Sequence, residues 1–263
     1  MTTLALFGGV YSNPFALRAV LADSAARKDQ KLWCLGDLGG FGPDPETCAE
    51  LLRAEAVDML QGNYDHSIGH SLGDCACGYT DPRDNHFAQV SYDFTNACVS
   101  ESTREWLRGL PPQARLTIEG RRVLLCHGSP RRVNEFLWNS TCSDAFLEWL
   151  CDEYEADVIA CTHTGLHWSR ALPGGRCVVN VGAIGRPAHD GRTSVWYAGL
   201  AFGPGGVARV DFREVAYDHE ALAAQMEEEK LPPEFIETIR TGWWTTCLEN
   251  VPAKERMRAM AAK

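Results

Sequence analysis

The sequence predicts an α/β fold in which short buried strands alternate with helices. Short apolar runs are followed by a loop and then by apolar residues at helical spacing, and this unit recurs along the chain. Several of these runs also end at a glycine beside a polar residue. That pattern is typical of the carboxyl ends of strands in open α/β sheets, where ligands bind.

The length and composition are those of one large globular domain. A chain of 263 residues can bury a substantial core, and hydrophobic residues make up 45% and charged residues 23% of the total, close to the globular average. We therefore expect a single domain over residues 1–263.

Two strand, loop and helix units open the chain. An apolar strand is predicted at residues 4–7, and Asn13 before Pro14 has the pattern of an N-cap with proline at the first helical position. The second strand is predicted at residues 32–35, and Asp44 marks the start of the next helix.

A third apolar strand, at residues 57–60, is followed by a change of pattern. Residues 67–99 combine polar and aromatic side chains with little periodicity, so we expect an irregular cap or lid. The remaining chain is predicted to contain a helix at 103–110, a hairpin of strands at 114–119 and 121–126, a helix capped by Ser143 and running to Tyr154, strands at 158–161, 178–181, 194–202 and 207–217, and C-terminal helices within 218–263.

The charge balance excludes some partner classes. A formal net charge of −10 argues against an extended nucleic-acid surface, because phosphate backbones bind clustered Lys and Arg. A small anionic substrate is compatible with it, since a metal and a few arginines can reverse the field inside one cleft. No window has the character of a membrane span and the first residues lack a signal-peptide pattern, so we expect a cytoplasmic protein without a membrane partner.

The 11 cysteines are scattered through apolar runs and helices, and most are interpreted as small buried residues in a reducing compartment. Cys75 and Cys77 differ because they lie close together in a polar, glycine-rich segment. We interpret them as solvent-facing cysteines, with a local metal or redox pair as the alternative.

Four side chains that can bind metals follow predicted strands. Asp37, Asn63, His127 and His163 each come after an apolar run and near a glycine. Because the carboxyl ends of such strands meet at one edge of a sheet, we expect these four to converge. Two oxygen donors and two imidazoles suit Mn, Fe or Zn better than Mg or Ca.

With these four residues and the motifs around them, the sequence resembles the calcineurin-like metallophosphoesterases, especially their small bacterial phosphodiesterase branch. The resemblance runs nearly from one end of the chain to the other, with its motifs in matching order and spacing. Its motifs are Leu-Gly-Asp-x-x-Gly-x-Gly-Pro-x-Pro at 35–45, Gly-Asn-x-Asp at 62–65, His-Gly-Ser-Pro at 127–130, His-Thr at 163–164 and Asn-x-Gly-x-x-Gly-x-Pro at 180–187. It implies a four-layer α/β sandwich of two mixed β-sheets flanked by helices, with two metals at the strand ends.

The resemblance also implies roles for individual residues. Asp37 would be the carboxylate that bridges two metals, and Asn63, His127 and His163 would complete the shell of the second metal. Asp37, Asn63 and His127 would take part in catalysis, together with Arg186 from the loop that closes near the site.

The departures from the family pattern fall on the first metal site. Family members open with Asp-x-His after the first strand, and those positions are Gly9 and Tyr11 here. The second histidine of the Gly-His-Thr-His motif is replaced by Gly165. The resemblance therefore implies one complete metal site and one that has lost three ligands.

Three outcomes stay open. A single ion could support a specialised phosphoesterase, or the scaffold could bind metal without hydrolysis. Alternatively, new ligands could rebuild the first site, with Tyr11 as a phenolate bound to ferric iron and with His167, His66, His70 or His86 as a further ligand. The other interpretation of Tyr11 is that its ring fills the space that a metal and a histidine occupy in family members.

We thus expect a metal-dependent phosphoesterase that acts on a small phosphomonoester or phosphodiester through one retained metal site. The alternative is a catalytically impaired metal-binding pseudo-enzyme or regulatory module on the same fold. The pair Trp243 and Trp244 is interpreted as core or as a dimer contact of a homo-oligomer.

Overall fold

The computed structural model describes residues 2–203 and 206–261, and within them ten strands form two five-stranded sheets. The strands are β1 (Thr2–Phe7), β2 (Lys31–Cys34), β3 (Asp58–Met59), β4 (Gln113–Ile118), β5 (Arg121–Cys126), β6 (Val158–Cys161), β7 (His167–Leu172), β8 (Arg176–Val181), β9 (Val195–Gly203) and β10 (Gly206–Val215).

Nine α-helices accompany the strands in the same residues. They are α1 (Pro14–Arg27), α2 (Pro45–Ala54), α3 (Asn63–Gly69), α4 (Pro82–Cys98), α5 (Glu101–Arg108), α6 (Asp144–Glu153), α7 (His219–Glu228), α8 (Pro233–Thr241) and α9 (Ala253–Ala261). None of these helices is long and apolar enough to cross a membrane.

The predicted helix starts in the opening units are confirmed. Asn13 Oδ1 accepts the backbone N–H of Ala16 at 3.0 Å, and Asp44 Oδ1 accepts that of Thr47 at 3.0 Å. These side chains satisfy N–H groups that have no partner inside the helix, which fixes where α1 and α2 begin.

Both sheets are mixed. The first has the order β10-β9-β1-β2-β3, in which β1, β2 and β3 are parallel and β9 and β10 are antiparallel to their neighbours. The second has the order β4-β5-β6-β8-β7, in which β5, β6 and β8 are parallel and β4 and β7 are antiparallel. The parallel strands of each sheet lead into the loops that carry the candidate ligands.

Alternation along the strands builds three apolar layers. Leu6 of β1 belongs to the cluster between the two sheets, whereas its neighbour Phe7 packs with residues of α1 and α2 on the outer face. On the far side of the second sheet, Leu124 and Ile159 pack against Leu147 of α6. The order helix, sheet, sheet, helix confirms the four-layer sandwich that the resemblance implied.

The prediction of an irregular segment over residues 67–99 is wrong for its second half. Residues 82–98 form α4, which begins after the N-cap residue Asp81. The buried positions of this helix include Asp84, Ser91 and Thr95 as well as Phe87. Polar side chains at buried positions remove the apolar periodicity by which helices are recognised in a sequence.

Strand β7 is a second difference, because no strand was predicted at residues 167–172. It is an antiparallel edge strand beside β8, and its central residues Ser169 and Arg170 give it no continuous apolar run. The two-residue strand β3 is shorter than the predicted strand at 57–60.

Candidate metal centre

Loops after four strands carry the predicted ligands. Asp37 follows β2, Asn63 is the first residue of α3 after β3, His127 directly follows β5, and His163 follows β6. Asp37 and His163 have the positive φ values of 63° and 69°, an uncommon conformation for residues other than glycine. The backbone thus turns sharply at two of the four positions.

Three of these side chains converge in a buried cluster. One donor atom from each of Asp37, His127 and His163 lies within 4.8 Å of the other two. His127 Nε2 is 3.1 Å from Asp37 Oδ2 and 3.1 Å from His163 Nδ1. Among residues 2–203 and 206–261, this is the only such group of three His, Cys, Asp or Glu side chains.

The tautomer of His127 follows from its surroundings. Its Nδ1 lies 2.7 Å from the carbonyl oxygen of Leu35, which can only accept a hydrogen bond, so Nδ1 carries the proton. When the ring is neutral, the lone pair of Nε2 points towards Asp37 and His163; when the ring is protonated, Nε2–H can donate to Asp37 Oδ2. A histidine anchored in this way is typical of metal ligands in proteins.

Burial and mutual charge set the protonation of the cluster. Burial and the neighbouring His127 together lower the pKa of His163 to about 3. For Asp37, burial opposes ionisation, but the charges of both histidines and the hydrogen bonds from His127 and the Tyr64 N–H together hold its pKa below the usual value. Burial likewise opposes protonation of His127, but the negative charge of Asp37 raises its pKa. The atoms that face one another here are Asp37 Oδ2, His127 Nε2 and His163 Nδ1. All three are electron-pair donors unless a proton or a metal cation lies between them.

Asn63 is held with its carbonyl oxygen free. Its Nδ2 donates to the carbonyl oxygen of Cys75 at 2.7 Å and lies 3.5 Å from Cys77 Sγ. The Oδ1 atom is buried and has no hydrogen-bond partner. A buried acceptor left unsatisfied is costly, so this oxygen fits a group that binds electron pairs, such as a cation.

Asp65 connects the loops that carry Asp37 and Asn63. Its carboxylate accepts backbone N–H groups from Asp37 at 2.7 Å, Leu38 at 2.8 Å and Gly62 at 2.7 Å. Burial and the charge of Asp37 raise the pKa of Asp65 to about 6, although the three N–H groups oppose this. Sequence reasoning included Asp65 in the Gly-Asn-x-Asp motif but gave it no role.

A cavity adjoins the cluster. Its empty volume is about 480 Å³, including space open to solvent, and its wall contains Asp37, His163, Arg186 and several aromatic rings. The aromatic residues are Tyr11, Phe41, Tyr64, Tyr79, Phe87 and Phe235. Phe87 belongs to α4 and Phe235 to α8, so helices that lie far apart in the sequence enclose this space.

Arg186 and Tyr11 lie at this cavity, as the resemblance implied for Arg186. The guanidinium Cζ of Arg186 is 5.9 Å from the centroid of the Tyr11 ring and 3.6 Å from that of Trp244. A Cβ atom built on Gly9 would lie 2.8 Å from Cζ of Tyr11, so the tyrosine ring fills the space beside that glycine. Burial raises the pKa of Tyr11, which opposes its ionisation to a phenolate.

The four other candidate histidines lie elsewhere. His66 and His70 are exposed and pack against each other with ring centroids 4.6 Å apart, and His86 is exposed beside Phe87. His167 packs against Trp196, with ring centroids 4.9 Å apart. The structure places none of them in the described metal-competent cluster.

The interpretation of Cys75 and Cys77 as solvent-facing is wrong. Both are buried, they form a disulfide, and their segment contacts Asn63. Polar composition suggested exposure, but the backbone of this segment packs onto the loop after β3.

Comparison with known proteins gives a family match over most of the chain. The profile described as calcineurin-like phosphoesterase superfamily domain matches residues 10–200. This range contains the four strand-end donors and Arg186, but it ends before Trp244.

One curated relative and two solved structures are similar to this chain. An uncharacterized protein of Methanocaldococcus jannaschii is 29% identical over 145 residues, which is 54% of this chain and 57% of the relative. This chain therefore spans little more than half of that protein. A crystal structure of a metallophosphoesterase from Sphaerobacter thermophilus has a TM-score of 0.69 at 26% identity and covers 92% of this chain and 99% of that chain. A hypothetical protein from Pyrococcus horikoshii has a TM-score of 0.76 at 22% identity, covers 93% of this chain and 100% of that chain, and shows the same fold.

Proposed function

We propose that this chain, which belongs to the calcineurin-like phosphoesterase superfamily, is a metal-dependent hydrolase of a small phosphomonoester or phosphodiester. The observation that carries the proposal is the buried convergence of Asp37, His127 and His163, with one donor atom of each within 4.8 Å of the others. Packing alone gives no reason to bring a carboxylate oxygen and two imidazole nitrogens together away from water.

Asp37, His127, His163 and Asn63 are the proposed ligands. Asp37 stays ionised, His127 directs Nε2 inward because Nδ1 is bound to Leu35, and Asn63 has a free buried Oδ1. This set of nitrogen and oxygen donors suits Mn, Fe or Zn. Tyr11 as an additional ligand stays a prediction.

When bound, a divalent ion supplies Lewis acidity to a phosphoryl oxygen and to the attacking water. The residues of the chain orient and enclose the reaction. Asp65 holds the loops of Asp37 and Asn63 together, and the aromatic wall limits the access of bulk water. The cavity wall combines aromatic rings with a few polar groups, Asp37, His163 and Arg186, which is typical of small-molecule sites and supports a small substrate.

The test combines metal analysis with turnover. The protein would be loaded with Mn, Fe or Zn and assayed for bound metal and for hydrolysis of an aryl phosphate and a bis-aryl phosphodiester. We expect Asp37→Ala to lose bound metal and turnover together. Asp58→Asn, which changes an exposed carboxylate in β3, is the matched control and should keep both.

Two results would contradict parts of this proposal. Full metal occupancy in Asp37→Ala would remove Asp37 from the ligand set. Bound metal in the unmodified protein without turnover of either ester would instead favour the metal-binding module.

A further inference from the structure

The buried guanidinium of Arg186 is not explained by the proposed metal ligands. The residue is 6% exposed, lines the cavity beside Asp37 and His163, and has no hydrogen-bond partner for its Nε–H. None of the ion pairs found within residues 2–203 and 206–261 includes it. Because a buried cation without an anionic partner is costly, a guanidinium in this position favours an anionic ligand in the cavity.

Trp244 holds this guanidinium in place. The Cζ atom of Arg186 lies 3.6 Å from the Trp244 ring centroid, well within cation–π distance. The indole N–H donates to the carbonyl oxygen of Pro187 at 2.6 Å, and the backbone N–H donates to His189 Nδ1 at 2.8 Å. The ring is thereby fixed to the loop that carries Arg186.

The same two side chains fill space next to the metal-competent cluster. A Cβ atom on Gly165, two residues beyond His163, would lie 2.9 Å from the Trp244 ring and 3.4 Å from Nη2 of Arg186. A larger side chain at Gly165 would also be strained because its φ is +76°. The Trp244 ring, with the Arg186 guanidinium beside it, therefore occupies the position to which a side chain from Gly165 would extend.

We propose that Arg186, oriented by Trp244, supplies a second positive charge and binds a non-bridging phosphoryl oxygen of the substrate. This inference rests on the proposed phosphoesterase function and adds the residue that recognises the phosphoryl group. A planar guanidinium with several N–H donors matches phosphoryl oxygens well, and it remains charged at all physiological pH values. Arg186 contacts the substrate in this proposal, whereas Trp244 is a positioning residue.

Binding of inorganic phosphate measures the contribution of Arg186 to phosphoryl recognition directly, without turnover. Calorimetric titrations would use the unmodified protein and the variants Arg186→Gln, Arg186→Lys, Trp244→Ala and Trp244→Phe, each with and without bound Mn. Arg192→Gln is the matched control, because Arg192 also lies over a tryptophan ring, that of Trp196 at 5.5 Å, but its side chain is 55% exposed. Circular dichroism and bound-metal analysis would accompany every variant.

We expect Arg186→Gln to weaken phosphate binding by about tenfold or more, since a charge-assisted hydrogen bond is lost. Arg186→Lys should recover part of the affinity because the charge remains without the planar fork. Trp244→Ala should weaken phosphate binding by roughly threefold or more. Trp244→Phe should bind phosphate more tightly than Trp244→Ala, close to the affinity of the unmodified protein, because the aromatic face is kept. The rescue by phenylalanine separates positioning of Arg186 from a general loss of structure.

The outcomes for the two proposals are distinguishable. Equal phosphate affinity in folded Arg186→Gln, Arg186→Lys and unmodified protein, with metal still bound, would overturn the role of Arg186 and leave the metal centre intact. If no protein binds metal, the proposed function fails instead, and the metal-free titrations still test whether Arg186 binds phosphate.

Discussion

The carboxylate of Asp65 lies 2.7 Å from the backbone nitrogen of Asp37 and accepts its N–H. Together with its bonds to Leu38 and Gly62, this contact joins the loops after β2 and β3. The position of the Asp37 carboxylate therefore depends on a second, buried carboxylate that is not itself a proposed ligand.

Replacement of Asp65 should weaken metal binding. Asp65→Ala removes the acceptor of three buried N–H groups, so we expect a loss of roughly 2–4 kcal/mol in the free energy of unfolding. Metal affinity should fall by about 10–100-fold because a group that orients a ligand is lost. Denaturant unfolding and metal titration measure the two effects. Asp74→Ala removes an exposed carboxylate that caps one local turn, and equal effects in the two variants would contradict this role of Asp65.

Gly62→Ala should displace Asp37. A Cβ atom at residue 62 would lie 2.6 Å from the Asp37 backbone nitrogen and closer still to its Oδ1. We expect weaker metal binding and about 1–3 kcal/mol of destabilisation from overpacking. Gly73→Ala is the control, because nothing lies within 4 Å of a Cβ there. Unchanged metal affinity in Gly62→Ala would show that the loop adjusts without moving the ligand.

Metal removal should lower the melting temperature. A metal that binds only the folded chain stabilises it by about 2.7 kcal/mol at a free concentration one hundred times its dissociation constant. Chelation followed by scanning calorimetry should therefore show a lower transition temperature, and Mn, Fe or Zn should restore it. In His127→Ala the added metal should give little or no increase, because Nε2 of His127 is at the centre of the cluster. An equal increase in both proteins would place the ion elsewhere.

A pH-dependent stability difference is expected at Glu135. Burial opposes ionisation of this carboxyl, but hydrogen bonds from Arg131 and Ser129 outweigh it and lower the pKa below 4.5. Because the folded-state pKa is lowered, the stabilisation is present above the unfolded value and is lost as the pH falls through the folded value. Glu135→Gln should therefore be less stable than the unmodified protein at neutral pH, and the difference should shrink below about pH 4.5.

Thermal unfolding of both proteins across this pH range measures the difference. Glu50→Gln, at an exposed position of α2, should show no comparable change. A stability difference for Glu135→Gln that stays constant down to pH 3 would exclude ionisation as its cause.

Much of the strand framework and the convergence of Asp37, His127 and His163 could be predicted because both depend on local patterns. An apolar run that ends at a glycine and a polar residue defines a strand end, and Asp37 and His127 follow such runs. Helix α4 could not be predicted in this way, since Ser91 and Thr95 point into the structure and donate or accept hydrogen bonds there.

Contacts between segments that are far apart in the sequence could not be predicted from local patterns. Trp244 was interpreted as core or a dimer contact, and it is 3% exposed, yet nothing near it in the sequence indicates that its ring lies against Arg186. The burial of Cys77 also depends on how its segment packs against Asn63. Such contacts depend on how distant segments pack in the folded chain, and they cannot be predicted from the composition of either segment alone.

The contact between Trp244 and Arg186 has a consequence for the evolution of the site. All four strand-end donors lie at or before residue 163, whereas the ring beneath the guanidinium belongs to Trp244, which follows the last strand of both sheets. The strand-end donors and the support of Arg186 therefore come from separate stretches of sequence, and substitutions can alter one during evolution without touching the other.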